Sequence, residues 1–268
     1  MMRRMFGLLM VVGLVVGVVG FVGCGGDKDS PTGPTKGPEG HTLEIKTEEW
    51  DNGNIKVEFQ YYLDGGSVLK HGFYKEYDDD GTLRVDGTYF EDKEKYNGKW
   101  VEYYESGEVE WEANYTDGNR DGKWVEYHTN GQILYEGNYK DEKKEGKWVR
   151  YYESGEVWWE LNYVDGKKEG NGVEYYESGE VYEELNYVGG KAEGKQVRYY
   201  ESGEVMGETN YKDGKPEGKW VSYYESGEVK TESDYVDGKR EGKLVWYDEE
   251  GNITRESCWE MGKEVDCP

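Results

Sequence analysis

The chain has 268 residues, with 58 Asp and Glu against 33 Lys and Arg and a formal net charge of −25. So acidic a body repels nucleic-acid phosphates and anionic lipid headgroups, which excludes a nucleic-acid partner and a lipid-binding protein surface from the expectations. Only 35% of residues are hydrophobic, a level that suits a disordered chain, but 10 Trp and 26 Tyr supply large buried area per residue and argue for a fold.

Residues 1–23 read as a targeting segment. Arg3 and Arg4 form a charged start, Phe6 to Val22 an apolar run, and Gly23-Cys24 ends it. This pattern resembles a bacterial lipoprotein signal peptide. The resemblance implies cleavage before Cys24, lipidation of that thiol, and a membrane-anchored place in the bacterial cell envelope, on the periplasmic side or the cell surface. The apolar run also approaches spanning length, so an uncleaved signal anchor stays open. Cleavage would remove two cations and no acid, taking the net charge from −25 to −27. Residues 24–40 add Gly, Pro, Asp, Ser, Thr and Lys to the lipidated Cys24 and read as a flexible tether. The membrane would be reached through the N-terminal lipid only.

From residue 41 the chain alternates apolar and polar residues between Gly-containing turns, the mark of β-hairpins. Residues 41–97 give two degenerate hairpins around Asp51-Asn52-Gly53 and Asp79-Asp80-Gly81, the first serving as a cap. Residues 98–257 repeat strictly. Gly98 recurs as Gly122, Gly146, Gly170, Gly194, Gly218 and Gly242, always 24 residues apart, and a fixed period in this range denotes a repeat array. Nine hairpins, or about eighteen strands, are expected, more than a flat sheet carries without twisting.

The turn chemistry of Glu105-Ser106-Gly107 predicts a three-residue loop, because only Gly107 need take a positive φ. Tyr104 then opposes Glu108, and Tyr103 opposes Val109. Carried along the strands without further change, this register puts the Val101, Tyr103, Val109 and Tyr115 columns on one packed face. The Trp100 column falls on the other face with the acidic column headed by Glu112. Trp100, Trp124 and Trp148 give way to Gly172 and Gln196 before Trp220 and Leu244. A buried column should not tolerate two lost indoles, so the Trp column is expected to be half-exposed. Trp100, Trp124, Trp148, Trp158 and Trp220, with Glu112, Glu136, Glu160, Glu184, Glu208 and Glu232, make the candidate ligand face. Gly172 and Gln196 mark where a function laid over the scaffold should show. In residues 258–268, Cys258 and Cys267 are expected to pair as a disulfide cap in an exported protein.

The phrase Gly146-Lys147-Trp148-Val149-Arg150-Tyr151-Tyr152-Glu153-Ser154-Gly155-Glu156-Val157, with Asn162-Tyr163-Val164-Asp165-Gly166-Lys167 after it, resembles the bacterial MORN-repeat variant. The likeness covers roughly His41 to Lys263 and is sharpest over Gly146–Gly170 and Gly218–Gly242. It implies an all-β fold, an elongated antiparallel meander of stacked β-hairpins in a single-layer twisted sheet. Members of such families are associated with scaffolding and membrane association, and some are grouped as antitoxin-like.

Catalytic chemistry finds no support. His41, His71 and His128 fall at unrelated repeat positions and read as surface histidines. The recurrent Ser-Gly lacks the glycine of a nucleophile elbow, and Gly-Lys-Trp is no phosphate loop. The acidic column could attract divalent cations, but no Asp-x-Asp-x-Asp-Gly loop is present, and its carboxylates read as a solvated face. The expectation is a non-enzymatic envelope protein without cofactor or metal, whose array engages an unknown envelope protein. A glycan- or cell-wall-binding module using the Trp and Tyr residues, or an antitoxin-like protein, are the alternatives.

Overall fold

The computed structural model describes residues 38–90 and 95–267. The signal segment, Cys24 and most of the tether lie outside the described residues. A 3-10 turn, Pro38–Gly40, precedes nineteen strands in one sheet. The first four are β1 (Glu44–Glu49), β2 (Ile55–Asp64), β3 (Ser67–Tyr77) and β4 (Leu83–Tyr89). The regular array begins with β5 (Gly98–Tyr103), β6 (Val109–Thr116), β7 (Asn119–Tyr127) and β8 (Ile133–Lys140). It continues through β9 (Lys143–Tyr151), β10 (Val157–Val164), β11 (Lys167–Tyr175) and β12 (Val181–Val188). Then come β13 (Lys191–Tyr199), β14 (Val205–Lys212), β15 (Lys215–Tyr223) and β16 (Val229–Val236). Last are β17 (Lys239–Tyr247), β18 (Ile253–Glu260) and β19 (Lys263–Val265). Each strand pairs antiparallel with its neighbours in sequence, so the two degenerate hairpins and the regular ones form one open meander. The exposed edge strand β1 carries Glu44, Lys46, Glu48 and Glu49, charges that discourage pairing with another chain.

Two turns alternate. At one end Tyr104 N donates to Glu108 O at 2.8 Å and Gly107 N to Tyr104 O at 2.9 Å, closing the expected three-residue loop. Gly107 has φ +92°, which a side chain would strain. At the other end Asp117 and Gly118 both take positive φ, the two-residue turn whose twist matches the strands. These turns lock onto the preceding repeat. Gly166 N donates to Lys144 O at 2.9 Å and Asp165 N to Glu145 Oε2 at 3.0 Å, and the same bonds recur along the array. At the loop end the Tyr104 hydroxyl donates to Tyr127 O at 2.6 Å, and Tyr152, Tyr176, Tyr200 and Tyr224 repeat the bond. His128 takes a tyrosine's place there, with Nε2 3.4 Å from Tyr151 O.

The face assignment is corrected by a bulge. Tyr103 opposes Val109, as expected, but Glu102 opposes Trp111, which leaves Glu110 as the extra residue. Every later residue of β6 therefore changes face. Val101 now opposes Glu112, and Trp100 opposes Ala113. The same shift recurs in every hairpin through β17–β18. Trp and Glu columns, expected together, lie on opposite faces. Tyr115 and its successors leave the valine face for the Trp face.

The Trp column is also core rather than half-exposed at its key positions. Trp100 is 4% exposed and Trp148 fully buried. Trp124, Trp158 and Trp220 are half-buried. The column headed by Ala113, which continues as Gly137, Leu161, Leu185, Thr209, Ser233 and Ser257, is buried throughout. Small residues there make room for indoles. A Cβ at Gly137 would lie 2.1 Å from the Trp148 ring, and one at Gly87 2.0 Å from the Trp100 ring. Trp100 also joins the degenerate hairpins to the array, with Tyr74, Tyr89 and Tyr96 around it at 5.8, 5.8 and 4.1 Å between ring centres. The Cys258–Cys267 disulfide forms as expected and ties β18 to the segment after β19.

Candidate functional site

The valine face carries a repeated three-residue ladder. Glu136 accepts from the Tyr151 hydroxyl at 2.8 Å and pairs with Lys123 Nζ at 3.3 Å. Glu112 does the same with Tyr127 and Lys99, Glu160 with Tyr175 and Lys147, and Glu208 with Tyr223 and Lys195. Glu232 joins Tyr247 at 2.7 Å and Lys219 at 2.6 Å, while Glu184 has Tyr199 at 3.1 Å and its repeat carries Asn171 where the others place Lys. The Lys219 ammonium, then the Tyr247 hydroxyl, holds the Glu232 carboxyl below the usual range. Burial, with the Glu136 bond added, pushes Tyr151 up to about 12. Valines sit beneath this cover, Val125 only 1% exposed. The predicted carboxylate column is thus engaged within its own chain. Among the described residues no three His, Cys, Asp or Glu side chains converge as a metal site.

The Trp face differs from repeat to repeat. Its first part is aromatic. Trp111 stacks on Trp124 with centres 4.8 Å apart, and Trp148 lies among Tyr135, Tyr139 and Tyr163 at 4.8, 5.1 and 6.3 Å. Cations cover these rings. The Arg120 guanidinium lies 4.3 Å from the Tyr139 ring centre, and Lys144 Nζ lies 4.2 Å from that of Trp148 and bonds the Tyr135 hydroxyl. Burial, then the Arg120 and Lys168 charges, lowers the Lys144 pKa. Trp158 is the bulge residue of its hairpin. It donates to Glu174 at 2.9 Å, stacks on Tyr152 and lies beneath Arg150.

At Gly172 the column opens into a cavity of about 200 Å³ lined by Trp159, Leu161, Lys168, Gly172, Leu185 and Tyr187, with Glu174 and Glu183 beside them. Glu183 accepts from Gln196 Nε2 and Arg198 Nε, both at 2.6 Å. Lys168 Nζ stands 4.8 Å from the Tyr187 ring centre. The missing indole is partly compensated, since a Cβ at Gly172 would come 3.0 Å from Leu161 Cδ1. The cavity combines an aliphatic floor, aromatic walls and charged margins. Position 172, which the sequence marks, is therefore the candidate site. Leu161, Leu185 and Lys168 escape the sequence reading, although the reciprocal sizes of Gly137/Trp148 and Leu161/Gly172 signal their contact.

The histidines do not converge. His41 lies 5.0 Å from the Tyr62 ring centre, and His128 serves the loop-end bond. His71 is buried at 5% exposure beside Phe90, not a surface residue as expected, because its strand position faces a ring cluster.

The model of the MORN repeat variant matches residues 96–117, 120–141, 144–165, 168–188, 192–213, 216–237 and 240–260, more than half of the chain. The chain belongs to the MORN-repeat variant family. Each match closes on or beside the two-residue turn, and together they span the array from β5 to β18. No curated protein matches the chain. Among solved structures, a porin-like protein from Bacteroides uniformis aligns at 9% identity over 86% of this chain and 90% of that one, with a TM-score of 0.21. A TcdB2–TccC3 structure without its hypervariable C-terminal region aligns at 12% identity over 84% of this chain and 14% of that one, with a TM-score of 0.17. Scores this low carry no argument about the MORN-repeat array.

Proposed function

We propose that this MORN-repeat array is a non-catalytic protein-interaction scaffold of the bacterial cell envelope, held to its membrane by a lipid on Cys24. One observation carries the reading: a Lys–Glu–Tyr ladder that recurs from Glu112 to Glu232 with only the Asn171 exchange on one face, and residue-by-residue variation on the other. Stacked repeats that keep their backbone while varying one surface present that surface to a partner. Two experiments test it. The Cys24→Ser chain should leave the membrane fraction, and retention there would remove the lipid anchor. Capture from solubilised envelopes on the immobilised full-length protein should enrich a defined partner, and recovery of none across several growth conditions would sink the scaffold.

A glycan-binding role has less to work with than the sequence promises, because Trp100 and Trp148 are buried. It rests on half-buried Trp124, Trp158 and Trp220, and failure to sediment with isolated cell wall would end it. An antitoxin-like role fits poorly with an envelope address.

A further inference from the structure

We propose that the cavity over Gly172 is a socket for one indole side chain supplied by a partner polypeptide, an inference that rests on the scaffold reading above. The array gauges the socket itself. Trp148 is surrounded by Tyr135, Gly137, Tyr139, Lys144, Leu161 and Tyr163. Advanced by one repeat, these positions become Trp159, Leu161, Tyr163, Lys168, Leu185 and Tyr187, and all but Tyr163 line the cavity. Most of the surroundings of a buried indole are thus rebuilt around a glycine that carries no side chain.

The dimensions agree. The hollow measures about 200 Å³ and opens to solvent on one side, so a ring can enter it from outside. Leu161, in place of Gly137, fills part of the space from below and leaves a floor of aliphatic carbon. Lys168 already stands over Tyr187 as Lys144 stands over Tyr163, so an inserted ring would gain the same ammonium above it. An indole also brings a donor. Trp148 Nε1 donates to Asn138 O at 3.1 Å, and Asn162 is the counterpart one repeat on. Glu183 is already paired with Arg198, but Glu174, which accepts from the neutral Trp158 indole, lies on a chain of net charge −25 and favours a basic residue flanking the inserted Trp.

The test titrates N-acetyl-tryptophanamide into the full-length chain with carbon-13-labelled leucine methyls. Saturable shifts of Leu161 and Leu185 are expected, with a dissociation constant of roughly 1 mM for so small a probe. Lys168→Gln should weaken binding about three-fold. The double variant Leu161→Gly/Gly172→Trp transplants the Gly137–Trp148 pair into this repeat and should abolish the Leu185 shift without lowering the thermal midpoint. If that variant does not fold, the wild-type titration and Lys168→Gln decide. No saturable Leu185 shift overturns the socket, as does a cell-wall disaccharide that shifts the same methyls at lower concentration. Envelope capture separates the two readings: a folded double variant that still retains the partner overturns the socket and leaves the scaffold standing.

Discussion

The two faces of the one sheet solve different problems. On the valine face, each Glu from Glu112 to Glu232 is held by the tyrosine of the next repeat, and all but Glu184, whose repeat has Asn171 in place of Lys, also by a lysine of its own. On the Trp face, aromatic residues fill Trp100 to Tyr163, a cavity opens at Gly172, and Gln196, Thr209 and Ser233 line the later column. The first face joins each repeat to the next through short charged bonds that any repeat can copy. The second depends on size matching between neighbours, so one exchange of large for small residues in adjacent repeats creates a site without disturbing the backbone.

Breaking the comparison at its strongest point means removing the Trp148 ring. Trp148→Ala should cost about 3–5 kcal/mol in urea unfolding, because the fully buried indole has no substitute. A loss under 1 kcal/mol would show that the Trp face is not core. Opening the Cys258–Cys267 bond with Ser at both positions should cost about 2–3 kcal/mol, read as faster amide exchange in β18 and β19 while β9 stays protected. Gly137→Ala should cost about 1–3 kcal/mol in thermal or urea unfolding, since the new methyl meets the Trp148 ring. On the other face, Tyr151→Phe removes a single bond to Glu136 and should cost about 0.5–1.5 kcal/mol by thermal melting.

The smallest effect is pH-dependent. Tyr151 is held neutral in the folded chain up to about 12, whereas an unfolded tyrosine ionises near 10. Its contribution is therefore fully present below about 10 and lost as pH rises through 12. Phenolate absorbance of the wild type minus Tyr151→Phe should show this late titration, and a midpoint near 10 would detach Tyr151 from Glu136. Glu232 runs the other way. Its depressed pKa contributes stability above the ordinary carboxylate range that disappears as pH falls through the folded value. Lys219→Gln should flatten that acid limb.

How much of this was legible depends on the distance over which each signal acts. The period, the hairpins, both turns and the disulfide are local, and the residues display them: Gly107 must take positive φ, Asp117-Gly118 suits a two-residue turn, and Cys258 and Cys267 stand nine residues apart. Position 172 could be singled out as well, since a missing Trp is visible in an otherwise regular phrase. Its lining was not. Within the regular array the bulge at Glu110 accepts Glu, Leu, Trp, Tyr, Met, Lys and Thr at its seven occurrences, so no residue type announces it.

By itself, then, the amino-acid order determined the repeat, the strand pairs and the loop register, because backbone conformation and two-residue alternation are settled within a few residues. The tertiary structure alone decided which columns meet. One extra residue per hairpin reverses every side chain beyond it, sends the Glu column to the valines and the tyrosines to the indoles, and turns the absence of Trp at Gly172 from an exposed gap into a lined cavity.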